Sequence, residues 1–154
     1  MSKKEKKNIK FNNENQNLKV YDRYERNARV LRIVDGDTYI LQVDLGFDHW
    51  YNGSFRLARI NTPEKFNVKK DSEEYTAGVA ASEFALEWLK VNAKQETIQG
   101  PTGPITFFCV VIKSFDQGTG KYGRWIVEIY SPLNGLSLNS SLVEAGHAVE
   151  VDYN

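Results

Sequence analysis

Val30-Leu31-Arg32-Ile33-Val34-Asp35-Gly36-Asp37-Thr38-Tyr39-Ile40-Leu41-Gln42-Val43-Asp44-Leu45 is the stretch on which the reading of the fold turns. Its first five residues are a short run rich in β-branched side chains, and the run stops at Asp35-Gly36-Asp37, a turn signal. Beyond it Tyr39, Leu41, Val43 and Leu45 alternate with Thr38, Ile40, Gln42 and Asp44, the period of a strand with one buried face. A hairpin is predicted. Residues 46–53 (GFDHWYNG) then read as a long aromatic loop, and residues 55–60 as the returning strand, ended by Asn61-Thr62-Pro63 because proline disfavours its continuation.

Downstream, residues 71–90 read as a helix. Asp71 or Ser72 can cap it, Glu73 and Glu74 suit its first turn, and Ala77, Ala81, Phe84, Ala85 and Trp88 fall on one face, with Gly78 a blemish in the pattern. Residues 100–104 form a Gly/Pro loop, 105–112 an apolar strand, 116–120 a turn-rich stretch and 125–130 a further alternating strand. Ser137 caps a short second helix over 138–145 that Gly146 stops. The order is three strands, helix, two strands, helix, a mainly β chain with helices (α+β). Five strands with a helix between the third and fourth predict the OB-fold, a Greek-key barrel often used to bind oligonucleotides or oligosaccharides.

The 154 residues suit one domain, and 41% hydrophobic with 12% aromatic residues supply a core without staples. Residues 1–19 carry six lysines against two glutamates and few apolar side chains, so they are expected to be a disordered basic tail ahead of a domain over 20–154. The remainder is net acidic, and any polyanion must be held by a local cluster or by the tail. Cys109 alone allows no internal disulfide, and with only His49 and His147 beside it a zinc site has little to draw on. The absence of a long apolar stretch or a secretory signal leads to the expectation of a cytoplasmic protein without membrane association.

Three segments carry chemistry. Asp35-Gly36-Asp37-Thr38 sets two carboxylates at a strand junction, and Asn61-Thr62-Pro63-Glu64 offers an amide, a hydroxyl, backbone carbonyls and a carboxylate, the oxygens that hard cations prefer. Lys121-Tyr122-Gly123-Arg124 is basic, and Arg124 together with Arg56 supplies guanidinium forks suited to a phosphate. Singly, each segment is weak evidence: Asp-Gly-Asp-Thr is more often a turn than a ligand set, Pro-Glu is common at helix starts, and one arginine alone reads first as a surface or ion-paired residue.

In order along the chain, Val34-Asp35-Gly36-Asp37-Thr38, Phe55-Arg56-Leu57 with Asn61-Thr62-Pro63-Glu64, Lys121-Tyr122-Gly123-Arg124 and Leu142-Val143-Glu144-Ala145-Gly146-His147-Ala148 resemble the signatures of the staphylococcal (micrococcal) nuclease family. The resemblance implies an OB-fold, calcium-dependent nuclease acting on DNA and/or RNA with little sequence preference. It implies that Arg56 and Arg124 bind the scissile phosphate, and that Glu64 acts on the attacking water as general base. Asp37 would be a carboxylate ligand of Ca²⁺, Thr62 a ligand through its backbone carbonyl, and Asp35 would stand just outside the ligands. Lys121 and Tyr122 match positions near a terminal phosphate of the nucleotide. A monomer is expected.

The chain departs from the family where a second calcium carboxylate is due. Asn61 stands there, which lowers the expected calcium affinity and leaves other divalent ions open. Only Tyr153 remains of the tyrosines expected to stack on a base, while Trp50 and Tyr51 in the hairpin offer another aromatic surface. The competing reading is a catalytically silent OB-fold module that binds single-stranded nucleic acid or a protein partner.

Overall fold

The computed structural model describes residues 24–119 and 123–151. The expected tail over 1–19, Lys121, Tyr122 and Tyr153 lie outside the described residues. Among the described residues, eight strands and two helices follow one another as β1 (Glu25–Asp35), β2 (Thr38–Asp44), β3 (Trp50–Leu57), β4 (Ile60–Asn61), α1 (Glu73–Asn92), β5 (Lys94–Gly100), β6 (Gly103–Thr119), β7 (Trp125–Tyr130), α2 (Leu138–Glu144) and β8 (Val149–Glu150).

Five of the strands form a closed ring. β1 pairs antiparallel with β2, β2 with β3, β3 runs parallel to β7, β7 pairs antiparallel with β6, and β6 returns to β1. This is the OB-fold barrel, with α1 between its third and fourth ring strands. β1 lies against β6 only as far as Val30, and the register of β1 on β2 shifts just beyond, between Val30 and Arg32 and again between Ile33 and Asp35. Such shifts bend a strand and sharpen its twist, which lets β1 leave one neighbour while keeping the other. Alternation fills the ring: Tyr39, Leu41, Phe55, Leu57, Val127 and Ile129 point inward and are buried.

α1 starts at Ser72, whose Oγ accepts the backbone N–H of Tyr75 at 3.2 Å. Its buried face is Gly78, Ala81, Ala85, Trp88, Leu89 and Asn92, so Gly78 belongs to the packed stripe and Ala77 does not. Trp88 Nε1 donates to Ser141 Oγ at 3.1 Å and joins α1 to α2. α2 is capped by Ser137, which accepts the N–H of Ser140 at 3.1 Å, and Gly146 follows it with φ +80°, where a side chain would be strained.

Several expected boundaries moved. β3 begins at Trp50, because Trp50, Tyr51 and Asn52 pair with Asp44, Val43 and Gln42, and the hairpin loop shrinks accordingly. The returning strand ends at Leu57: Arg59 takes φ +64°, and Ile60–Asn61 becomes a separate strand paired with β8. β6 runs on through residues 116–119, where a turn was expected, because its last residue, Thr119, pairs with Trp125 at the start of β7. β5 was not anticipated. Its sequence KQETIQG lacks apolar alternation, and it forms by pairing with β6 from Lys94↔Cys109 to Gly100↔Gly103. No helix among the described residues is long and apolar enough to cross a membrane.

One buried amide locks α2 to the barrel. Asn139, 1% exposed, accepts the N–H of Ile129 at 3.1 Å and donates to the carbonyls of Ala58 at 3.1 Å and Val127 at 3.3 Å. Asn139→Ala takes away the partner of the Ile129 N–H and an amide donor to the Ala58 carbonyl, while the Val127 carbonyl keeps the Ala58 N–H at 2.8 Å, and is expected to cost about 2–4 kcal/mol. Urea unfolding with an unchanged denaturant slope is the check.

Candidate active site

The site is built where the β1–β2 turn meets the chain leaving β3. Tyr39 is wholly buried and its hydroxyl donates to the Gly36 carbonyl at 2.7 Å, fixing the turn from beneath. Burial pushes that phenol's pKa far up, so it serves as a permanent donor. Gly36 must be glycine for reasons of space. A Cβ there would lie 2.9 Å from Ala81 Cβ of α1 and 2.9 Å from Thr62 Cγ2.

Asp37 is the hub. Its Oδ2 accepts Arg56 Nη1 at 3.1 Å and the N–H of Thr62 at 3.1 Å, and its Oδ1 accepts the Thr38 hydroxyl at 3.2 Å. Arg56 reaches it because Thr38 and Arg56 face each other in the β2–β3 register. The same guanidinium donates through Nη2 to the Ile60 carbonyl at 3.3 Å and to Asn61 Oδ1. Arg124, next to the start of β7, donates through Nη1 to Thr38 Oγ1 at 3.0 Å. Both arginines are thus joined to Asp37, one directly and one through Thr38. Arg56 and Asp37 keep only 17% and 14% side-chain exposure, so their attraction is screened less than that of a surface pair.

Asp35 holds the far side of the turn by accepting the N–H of Lys65 at 3.3 Å. Burial raises its carboxyl above the ordinary value, the Lys65 N–H opposes that shift, and the charge on Asp37 adds to it. Glu64 is exposed, and its backbone lies against α1: a Cβ on Gly78 would come within 2.8 Å of its carbonyl oxygen. The glycine that looked like a flaw in the helix is where the 63–64 segment crosses it.

Of the residues expected at the site, Asp35, Asp37, Arg56, Asn61, Thr62 and Arg124 are brought together by hydrogen bonds or by adjacent backbone. Glu64 lies two residues beyond Thr62, with its carboxylate joined to none of the others among the described residues. Sequence reasoning passed over Thr38, the link between Arg124 and Asp37, although it stands inside the Asp35–Thr38 motif.

A hard cation suits these donors by their chemistry. Asp37 and Asn61 aim one oxygen each at a single positive group, the Arg56 guanidinium, and the buried Thr62 Oγ1 has no hydrogen-bond partner among the described residues. Among the described residues no three His, Cys, Asp or Glu side chains converge as a metal site, so the set is poor in charge.

A family model, staphylococcal nuclease homologue, matches residues 54–154. The match takes in Arg56, Asn61, Thr62, Glu64 and Arg124, and the Asp35–Thr38 turn that precedes it is bound to it through the β2–β3 register. With more than half of its length matched and an OB-fold barrel beneath the match, the chain belongs to the staphylococcal nuclease homologue family.

Proposed function

We propose that the protein is a metal-dependent nuclease that hydrolyses phosphodiester bonds of DNA and/or RNA with low sequence specificity, Ca²⁺ being the first choice of ion. The observation that carries this reading is the joining of two arginines, Arg56 of β3 and Arg124 just ahead of β7, to one carboxylate, in a chain whose family is one of nucleases. In this reading Arg56 and Arg124 turn their forks to the phosphoryl oxygens and oppose the negative charge that grows there as water attacks. Glu64 takes the proton of that water at its carboxylate, a role that its exposure permits. Asp37 holds Arg56 in place until substrate arrives, and Thr38 does the same for Arg124. Asp37, Asn61 and the Thr62 carbonyl would hold the metal, which when bound supplies Lewis-acid polarisation of the phosphate. Lys121 and Tyr122 would contact a further phosphate, and Asp35 keeps the turn and the 62–65 loop together.

Asn61 favours a second reading, a module that binds nucleic acid without cutting it, because a neutral amide stands where the family has a carboxylate. Incubating the protein with supercoiled plasmid and with single-stranded RNA, in Ca²⁺, in Mg²⁺ and in chelator, separates the two. Cleavage that chelator abolishes is expected; retention without cleavage under every condition would leave only the binding module.

Arg56→Ala, Glu64→Gln and Arg124→Ala should each slow cleavage about a hundredfold or more, about 3 kcal/mol of transition-state stabilisation. Near-normal rates in any two of them, at wild-type thermal stability, would remove the catalytic assignment. Asn61→Asp adds a charge to the ion's ligands with almost no change of shape, and should lower the Ca²⁺ concentration for half-maximal cleavage severalfold. Metal titration of wild type and variant checks this: an unchanged or weaker response takes residue 61 out of the metal shell.

A further inference from the structure

The turn that joins β2 to β3 presents a phenylalanine to water. Phe47 is 98% exposed, the most exposed large apolar side chain among the described residues. Its place is set by the turn and not by packing. Gly46, Phe47 and Asp48 take φ of +80°, +53° and +62°, three residues in a row in the left-handed region, which glycine accepts readily and phenylalanine does not. Three hydrogen bonds hold them there: the Leu45 N–H to the His49 carbonyl at 2.8 Å, the His49 N–H to the Gly46 carbonyl at 2.9 Å, and the Gly46 N–H to Asp44 Oδ1 at 2.8 Å. Strain kept at a fully exposed aromatic points to a contact made outside the fold.

The same end of the barrel is hollow. Val43, Leu45, Tyr51, Phe55, Ile112 and Trp125 line a cavity of about 300 Å³ there, so the cavity wall and Phe47 are only two residues apart, at Leu45 and at the tip of the turn. The wall is preformed. Trp125 Nε1 donates to the Tyr51 hydroxyl at 3.1 Å, and the Tyr51 ring meets Phe55 edge to face, centroids 6.0 Å apart. Gly53 makes room for it, since a Cβ there would lie 2.8 Å from the Tyr51 ring. An apolar cavity of about 150 Å³ already accepts a benzene ring, so this one has room for a phenyl side chain. Charge is matched as well. Arg26 is the one charged side chain that lines the hole among the described residues, whereas Asp44 and Asp48 flank Phe47.

We propose that this end of the barrel is a two-fold interface between copies of the chain, in which Phe47 of each enters the cavity of the other and Asp48 faces Arg26 across the contact. A knob and a hole on one face meet each other only in a second copy, and a half-turn satisfies both at once. Such a contact closes on itself and stops at two chains. The candidate active site lies at the other end of β2, at the Asp35–Asp37 turn, so neither copy covers it. The proposal sets a dimer in place of the monomer expected from the sequence, and it does not rest on the nuclease reading.

Sedimentation of the full chain over a rising concentration series is the first test, with the mean mass expected to climb from 17.6 kDa toward twice that value. Phe47→Ser should keep the wild-type melting temperature, because the ring is exposed in its own copy, and should weaken the dimer about a hundredfold or more, since two rings lose their burial. Arg26→Glu, which sets like charges face to face, should weaken it about tenfold. With p-benzoylphenylalanine in place of Phe47, irradiation should join two chains at residues that line the cavity, Tyr51 and Trp125 among them. The mass of one chain at every concentration overturns the interface and leaves the hole to a different partner. A dimer as tight in Phe47→Ser or Arg26→Glu as in wild type overturns it also, as do cross-links that fall outside the cavity. None of these readouts uses cleavage, so their failure leaves the nuclease reading standing.

Discussion

β1 is hydrogen-bonded along both edges, to β2 on one side and to β6 on the other, and the rest of the molecule depends on that double pairing. A sheet in which the first strand had only one neighbour would lie open, and Tyr39, Leu41 and Val110 would lose the far wall that buries them. The register shifts in β1 fall where it parts from β6, so the bend that closes the ring also aims its end. At that end stands Asp35-Gly36-Asp37, and the position of the candidate site is in this sense a by-product of closure.

Asp37 turns this geometry into electrostatic order. One carboxylate takes a guanidinium, a backbone N–H and a hydroxyl, and through them sets β3, the 62–65 loop and Arg124 relative to one another. Donors held before substrate binds need not be reorganised as charge develops, which is where a fixed environment outperforms water. Elsewhere on the barrel Tyr51 and Trp125 restrain each other in the same way, Trp125 Nε1 donating to the Tyr51 hydroxyl at 3.1 Å.

The parts of the fold written in local pattern were legible. Alternation from Thr38 to Asp44 marked β2, and Ser72, Ser137 and Gly146 marked helix ends because caps act within a few residues. β5 was not, since Lys94–Gly100 owes its strand to β6 and to nothing in its own side chains. Residues 116–119 likewise carry turn chemistry that pairing overrides. At the site, the oxygen-rich and arginine-bearing segments could be named from residue type. That Thr38 bridges Arg124 to Asp37, and that Gly36 and Gly78 seat the two loops on α1, depends on contacts between distant parts of the chain.

A closed ring has no free rim along which another chain can add, yet the six-stranded sheet does have an outermost strand, β5. Among the described residues no strand pairs with its outer side, and an unpaired strand edge offers backbone donors and acceptors to an extended peptide. The residues set along it answer that exposure: Lys94 is exposed there, Glu96 spends its charge on Arg29 of β1 at 2.8 Å, and no run of β5 is wholly apolar. The poor strand pattern that hid β5 from the sequence reading is then a safeguard. A strand that cannot advertise itself to its own fold is also one that does not recruit a neighbour.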